Sequence, residues 1–459
     1  MKQHNFLLYA LLGLLLISGA FFLRGDSHGD SQSYYHERIA QSLLEKGFLN
    51  YDDRVVAQPE YQPHLFHYFL VPFVWLFKGA AGYIVAPLLG FLCLLCLWIL
   101  LQRLEYRASY GILLFIFSPL YLALFTTVTQ QSFSLFLFLL SIVLFLHERT
   151  FLLSLLSFFA LGSLSILDSA VTVLVIIVLG YSTQRRRESF LALLSVFLAI
   201  VYHASFFFFT SRFRFEQPPV LERLFFDFGA PYGISVFLGL LALVGLYVLW
   251  EHKRQFSAAV LALVAIIAYS IYNNMALHYA HLATLFLAVV AAEALLERRW
   301  SLPYVKIAFI VMLITALLST ASTAFSLAVQ HSPDPSLKQS LDWLRGQGDS
   351  EDVVFTHPAY GHYITAIADK RVLLDNAPQR IREAESIWLT TLELLHTTDR
   401  EELKTLIERE QITYILLTDE LSNGLVWEKP RRGLAYATED FEMFKKIYER
   451  SGIRLYKVQ

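Results

Sequence analysis

Between residues 25 and 47 the chain reads GDSHGDSQSYYHERIAQSLLEKG, which puts two carboxylates, Asp26 and Asp30, just ahead of His36 and Arg38. Tyr35, Ile39, Leu43 and Lys46 recur with helical spacing, so Asp30 stands at a helix start, where a carboxylate caps amides and meets the positive end of the helix dipole. A second charged group lies in SRFRFEQPPVLERLFFDFGAPYGI, where Arg212 and Arg214 flank Glu216. Such arginines hold either an anionic phosphate or the neighbouring acids Glu216, Glu222 and Asp227. Asp168, in SILDSAV, is an acid at the end of an apolar run; it is a functional candidate by its setting and a helix cap by its position. His278 and His281, spaced i, i+3 in NNMALHYAHLATLFL, share one helix face and bind an anion only when protonated, near pH 6.5 or below. With no third ligand nearby in sequence, they do not make a zinc site.

The elements that must carry these groups are mostly apolar. Of 459 residues, 56% are hydrophobic and 38 are Phe, and the mean hydropathy is +0.49; a bilayer is the natural solvent for such a chain. Net charge is −2, which argues against nucleic acid as a partner. Cys93 and Cys96 have CxxC spacing but sit inside GFLCLLCLWILL, where packing thiols are expected rather than redox chemistry. Eleven windows are apolar enough to cross a membrane: 5–23, 83–102, 109–126, 132–147, 151–167, 170–182, 189–210, 233–250, 257–272, 278–296 and 303–325. The first has no cleavage signal and reads as a retained anchor. Residues 64–78, with two histidines, a proline and many aromatics, read as an interfacial helix. With a cytoplasmic N-terminus, Arg103 and Arg107, Arg149, Arg185 to Arg187, Lys253 and Arg254, and Arg298 and Arg299 all fall on the inside. The loop 24–82, the loop 211–232 and the tail then lie outside the cytoplasm. From SPDPS onward the pattern changes to short apolar strands between amphipathic helices, DVVF, RVLLD, ITYILLT and RLYKV among them, which predicts a small α/β domain over 332–459 behind a membrane domain over 1–331.

The first-loop pattern Asp30-x-x-x-Tyr34, Arg38-x-Ala40, Leu44-Glu45-x-Gly47 and Gln62-Pro63-x-Leu65 resembles the first external loop of the C-type glycosyltransferase superfamily, polytopic enzymes that use polyprenyl-phosphate or polyprenyl-diphosphate sugars. The resemblance implies that Asp30, with Asp26 second, serves as base or metal ligand, so that an acceptor is activated and a phosphate leaving group neutralised at the membrane surface. Tyr34-Tyr35-His36-Glu37-Arg38 resembles a YYHLR-like segment of the oligosaccharyltransferase catalytic subunit. In the tail, His357-Pro358-Ala359-Tyr360-Gly361-His362 stands where that family has WWDYG; Tyr360, Gly361 and His362 agree, and the two tryptophans and the aspartate, which recognise the Ser/Thr of the acceptor, are replaced. The loop with Glu216 is similar to the family's fifth external loop, whose glutamate lies near metal and acceptor. In the second external loop, TTVTQQSFS, Gln130 and Gln131 stand in place of the metal-binding acids, and Asp168 is the alternative carboxylate.

The expectation is therefore an α-helical polytopic membrane protein of about eleven spans with the C-type glycosyltransferase fold and a soluble C-terminal α/β domain outside, in the plasma membrane of a prokaryote. The resemblance implies transfer of a sugar or glycan from a polyprenyl-(di)phosphate carrier to a protein, lipid or glycan acceptor. It assigns Asp30 and Glu216 to catalysis. Arg212, Arg214, His36, Arg38, His278, His281, Tyr360 and His362 are assigned to substrate, and Asp30, Asp26 and Asp168 to Mg²⁺ or Mn²⁺. A non-catalytic paralogue that binds a lipid-linked sugar, and a transporter, are the rival classes; the transporter lacks paired broken helices and mid-span acids.

Overall fold

The computed structural model describes the chain except residues 1–2, 26, 28, 60, 62–64, 208–219, 229, 231–232, 252, 274–275, 298–302, 331–332, 378–380, 382 and 428–431. Asp26, Arg212, Arg214 and Glu216 thus lie outside the described residues. The chain divides into two compact units: a helical unit of 1–29, 64–205 and 217–331, and an α/β unit of 30–63, 206–216 and 332–459. A boundary drawn from composition alone falls at 331/332, whereas packing assigns the first-loop segment Asp30–Pro63 to the same unit as the tail.

The helices run α1 (Gln3–Arg24), α2 (Ser31–Lys46), α3 (Leu65–Phe77), α4 (Ala81–Arg103), α5 (Ala108–Ile116), α6 (Pro119–Phe125), α7 (Gln130–Phe145), α8 (Phe151–Gly162), α9 (Ile166–Thr183), α10 (Arg186–Phe207), α11 (Val220–Leu224), α12 (Val236–Glu251), α13 (Lys253–Tyr272), α14 (Leu277–Glu297) and α15 (Pro303–Gln330). All but α2 belong to the helical unit, α10 through Ser205. Five stretches among the described residues are long and apolar enough to cross a bilayer, or six if the bent pair α5 and α6 is one span. The 63° bend of that pair has a local cause. Pro119 cannot continue the hydrogen-bond ladder of α5, and the Ser118 hydroxyl accepts from the Tyr121 amide to start a new helix. The stretch read as interfacial, α3, leads through one tight turn at Lys78–Ala80 into α4. Small residues set the closest helix contact: a Cβ on Gly245 of α12 would overlap the Leu287 carbonyl of α14.

The α/β unit adds α16 (Pro335–Arg345), α17 (Gly361–Tyr363, continued by a wide turn through Ala368), α18 (Ala384–His396), α19 (Arg400–Arg409) and α20 (Gly433–Asp440). Its sheet has strands β1 (Val353–Phe355), β2 (Arg371–Val372), β3 (Ile412–Thr418), β4 (Phe444–Arg450) and β5 (Ile453–Val458) in the order β2-β1-β3-β5-β4. β1 pairs parallel with β2 and β3, and β3, β5 and β4 pair antiparallel. The first-loop segment extends the β2 edge: the Val372 amide donates to the Arg54 carbonyl at 2.9 Å and the Val56 amide to the Val372 carbonyl at 2.8 Å. β4, FKKIYER, is unexpected from the sequence because charged side chains mask its alternation, as suits an exposed edge.

Candidate functional site

Asp30 caps α2. Its Oδ1 accepts from the Ser33 amide at 3.0 Å and the Ser33 hydroxyl at 2.9 Å, and Gly47, at φ +75°, closes the other end by donating its amide to the Leu43 carbonyl. The helix buries Tyr34, Tyr35, His36, Ile39, Ala40 and Leu43, a wider face than the periodic reading because aromatic residues cover both flanks. Tyr34 meets Tyr363 edge-on at 5.3 Å, and Tyr35 lies 5.0 Å from the His362 ring and 5.2 Å from His36. Arg38 donates to both carboxylate oxygens of Asp52 at 2.7 and 2.6 Å and lies over the Tyr35 ring. Burial by itself would lower the guanidinium's pKa; the charge and hydrogen bonds of Asp52, helped by Asp375, outweigh it and leave the value raised. His362 Nδ1 is 3.5 Å from the Asp375 carboxylate, with both side chains fully buried.

Three of the residues assigned to substrate from the sequence, His36, Arg38 and His362, thus gather in the interior of the α/β unit. Arg38 is held by Asp52 with side chains 9% and 2% exposed, which makes it a cross-link between α2 and the segment that reaches β2. Gly361 is explained by crowding: a Cβ there would stand 2.8 Å from Asp375 Cα and 3.0 Å from the Leu374 carbonyl. Tyr360 belongs to another group. Its hydroxyl donates to Glu420 and lies 3.1 Å from the Thr418 hydroxyl. Burial, then the bond to Glu420, pushes the phenol well above its usual range. His357 accepts the Ala359 amide at Nδ1 (3.3 Å), and burial lowers its pKa against the raising influence of Glu420.

In the helical unit Asp168 is 2% exposed. Its Oδ1 accepts from the Ser134 hydroxyl at 2.8 Å and the Tyr279 hydroxyl at 2.6 Å, and its Oδ2 from the Ser165 hydroxyl at 2.6 Å. Ser165 Oγ in turn accepts the Asp168 amide at 3.0 Å, a reciprocal cap at the start of α9. Both carboxylate oxygens are committed to a knot of α7, α9 and α14, which argues for a fastening role rather than an open metal ligand. His278 and His281 are both buried on α14, on either side of Tyr279. Gln130 donates to the Leu164 carbonyl at 3.1 Å, and Asp227 accepts the Val236 amide at 2.6 Å. Among the described residues no group of three or more His, Cys, Asp or Glu converges as a metal site. Asp52, Asp375, Thr418 and Glu420 escape sequence reasoning because their roles depend on contacts across the fold; the one local signal is Asp375 at the close of RVLLDN.

No family model and no curated protein matches the sequence. Solved structures do. Oligosaccharyltransferase AglB from the archaeon Archaeoglobus fulgidus, in complex with an inhibitory peptide and a dolichol-phosphate, aligns with a TM-score of 0.64 at 11% identity over 100% of this chain and 74% of that one. ArnT from Cupriavidus metallidurans, bound to undecaprenyl phosphate, aligns with a TM-score of 0.59 at 11% identity over 98% of this chain and 97% of its own. The chain shares the fold of these two proteins over nearly its whole length. An Archaeoglobus fulgidus oligosaccharyltransferase complex with Zn and sulfate also aligns, with a TM-score of 0.60 at 11% identity over 98% of this chain and 73% of that one.

Proposed function

We propose that this protein is a membrane glycosyltransferase that moves a sugar or glycan from a polyprenyl-(di)phosphate carrier to a protein, lipid or glycan acceptor outside the cytoplasm. The observation that carries the reading is the fold, matched over nearly the whole chain to proteins whose solved complexes hold dolichol-phosphate and undecaprenyl phosphate. The placement of the clusters at Arg103 and Arg107, Arg149, Arg185 to Arg187, Lys253 and Arg254, and Arg298 and Arg299 on one side supports a cytoplasmic N-terminus. In this reading Asp30 deprotonates the acceptor or, with Asp26 and Glu216, faces a divalent cation such as Mg²⁺ or Mn²⁺ that would neutralise the leaving phosphate. Arg212 and Arg214 bind the donor phosphate, and the α/β unit shapes the acceptor side.

Transfer of labelled sugar from polyprenyl-linked donors, by wild type and Asp30→Asn, tests it. Asn caps a helix as well as Asp does, so the variant keeps α2 and removes only the charge. A loss of about 100-fold or more is expected for a missing base; full retention would exclude Asp30 from the chemistry.

A further inference from the structure

We propose that the α/β unit binds a primary ammonium group where the carboxyl ends of β1 and β3 meet, and that this group belongs to the acceptor. The topology marks the place. After β1 the chain crosses to β2 on one side; after β3 it passes to β4 and β5 on the other. The crevice outside two parallel strands whose connections diverge is where open α/β sheets take ligands.

Both charge signs stand there, but Arg454, opposite Leu417 in the β3–β5 ladder, is taken up by Glu439 at 2.9 Å and Asp419 at 4.0 Å. Glu420, just beyond β3, is exposed; its carboxylate accepts the Tyr360 hydroxyl, and it has no salt-bridge partner among the described residues. His357, just beyond β1, has its pKa lowered and brings no competing cation. Its ring meets Trp388 edge-on at 6.4 Å, so an aromatic wall stands beside it. An exposed carboxylate beside a phenol oxygen, with aromatic side chains next to it, suits an ammonium through charge-assisted hydrogen bonds and cation–π contact.

That the ammonium belongs to the acceptor rests on the proposed function; its binding does not, so the test is made without turnover. Full-length protein in nanodiscs is titrated with Nα-acetyl-lysine amide and with glucosamine, each beside its fully N-acetylated counterpart. At least one amine is expected to bind, about tenfold or more tighter than its acetylated form, and the tighter of the two names the source as a lysine side chain or an amino sugar. Glu420→Gln should erase that preference, and Tyr360→Phe should weaken it. Absence of binding by both amines, equal binding of the acetylated forms, or a preference unchanged in Glu420→Gln overturns the proposal. The wild-type comparison stands whether or not the variants fold. Amine binding by a protein that transfers no sugar would keep this inference and defeat the enzyme reading.

Discussion

Asp168 in the helical unit and Asp52 in the α/β unit are both buried carboxylates, 2% and 3% exposed, yet one is answered by three hydroxyls and the other by a guanidinium. The hydroxyls of Ser134, Ser165 and Tyr279 fasten three helices and bring no second charge into an apolar interior. The guanidinium of Arg38 balances a charge and fastens a loop to a sheet edge. The buried cation of the helical unit follows a related economy: Arg24, at the end of α1, donates to the Thr126 carbonyl at 2.5 Å and to the Ala328 carbonyl, near the ends of α6 and α15. Those carbonyls carry the negative ends of helix dipoles, which favour a cation there. In its apolar surroundings Asp168 is answered by hydroxyls, whereas Asp52 in the α/β unit is answered by a cation.

Breaking the two carboxylate sites should therefore cost different amounts. Asp52→Ala leaves Arg38 buried without its counter-charge, and a loss of about 3–5 kcal/mol is expected in unfolding of the α/β unit. Replacing both partners, Arg38→Met with Asp52→Leu, should return most of that loss, because no charge is then left unpaired. If the single and double variants are equally unstable, the pair matters for shape and the contrast with Asp168 fails. Tyr279→Phe removes one of three donors to Asp168 and leaves two in place. Thermal unfolding in detergent should register about 1 kcal/mol. A loss as large as that of Asp52→Ala would mean that the knot depends on the tyrosine alone.

The gross architecture is legible in the sequence because it follows from repetition. Apolar runs declare the helices of the helical unit, and DVVF and ITYILLT declare central strands of the α/β unit. Asp30 is legible twice over: its place before SQSYYHER predicts the cap that the structure contains, while its chemistry remains a proposal. What stays hidden depends on partners distant in sequence. Nothing near Arg38 announces that Asp52 will hold it, and nothing in the first loop announces that Val55 will extend the sheet beside Val372. Asp168 is the instructive intermediate. Its local cap by Ser165 is readable from a three-residue spacing, but the bonds from Ser134 and Tyr279 arrive from helices 34 and 111 residues away. Likewise Tyr360 can be matched to a motif, but Glu420, which its hydroxyl reaches, sits 60 residues further on.

The smallest expected effect tests how the α/β unit treats a group that can change its charge. Burial lowers the His357 pKa below the ordinary 6.5, with Glu420 opposing in part. The unfolded segment then binds more protons than the folded one as pH falls, so the histidine's contribution is complete above pH 6.5 and is lost as pH drops through the folded value. The geometry gives the cause: Nδ1 accepts the Ala359 amide, and a proton on Nδ1 takes that acceptor away. Hydrogen exchange of peptides spanning residues 353–363, corrected for intrinsic rates, should show opening that grows below pH 6.5. His357→Asn retains an acceptor that does not titrate, and its exchange should stay flat over the same range. A wild type as flat as the variant would mean that the imidazole keeps its ordinary affinity for protons in the fold, and that this unit stabilises an added charge at the strand ends as readily as it does at Arg38.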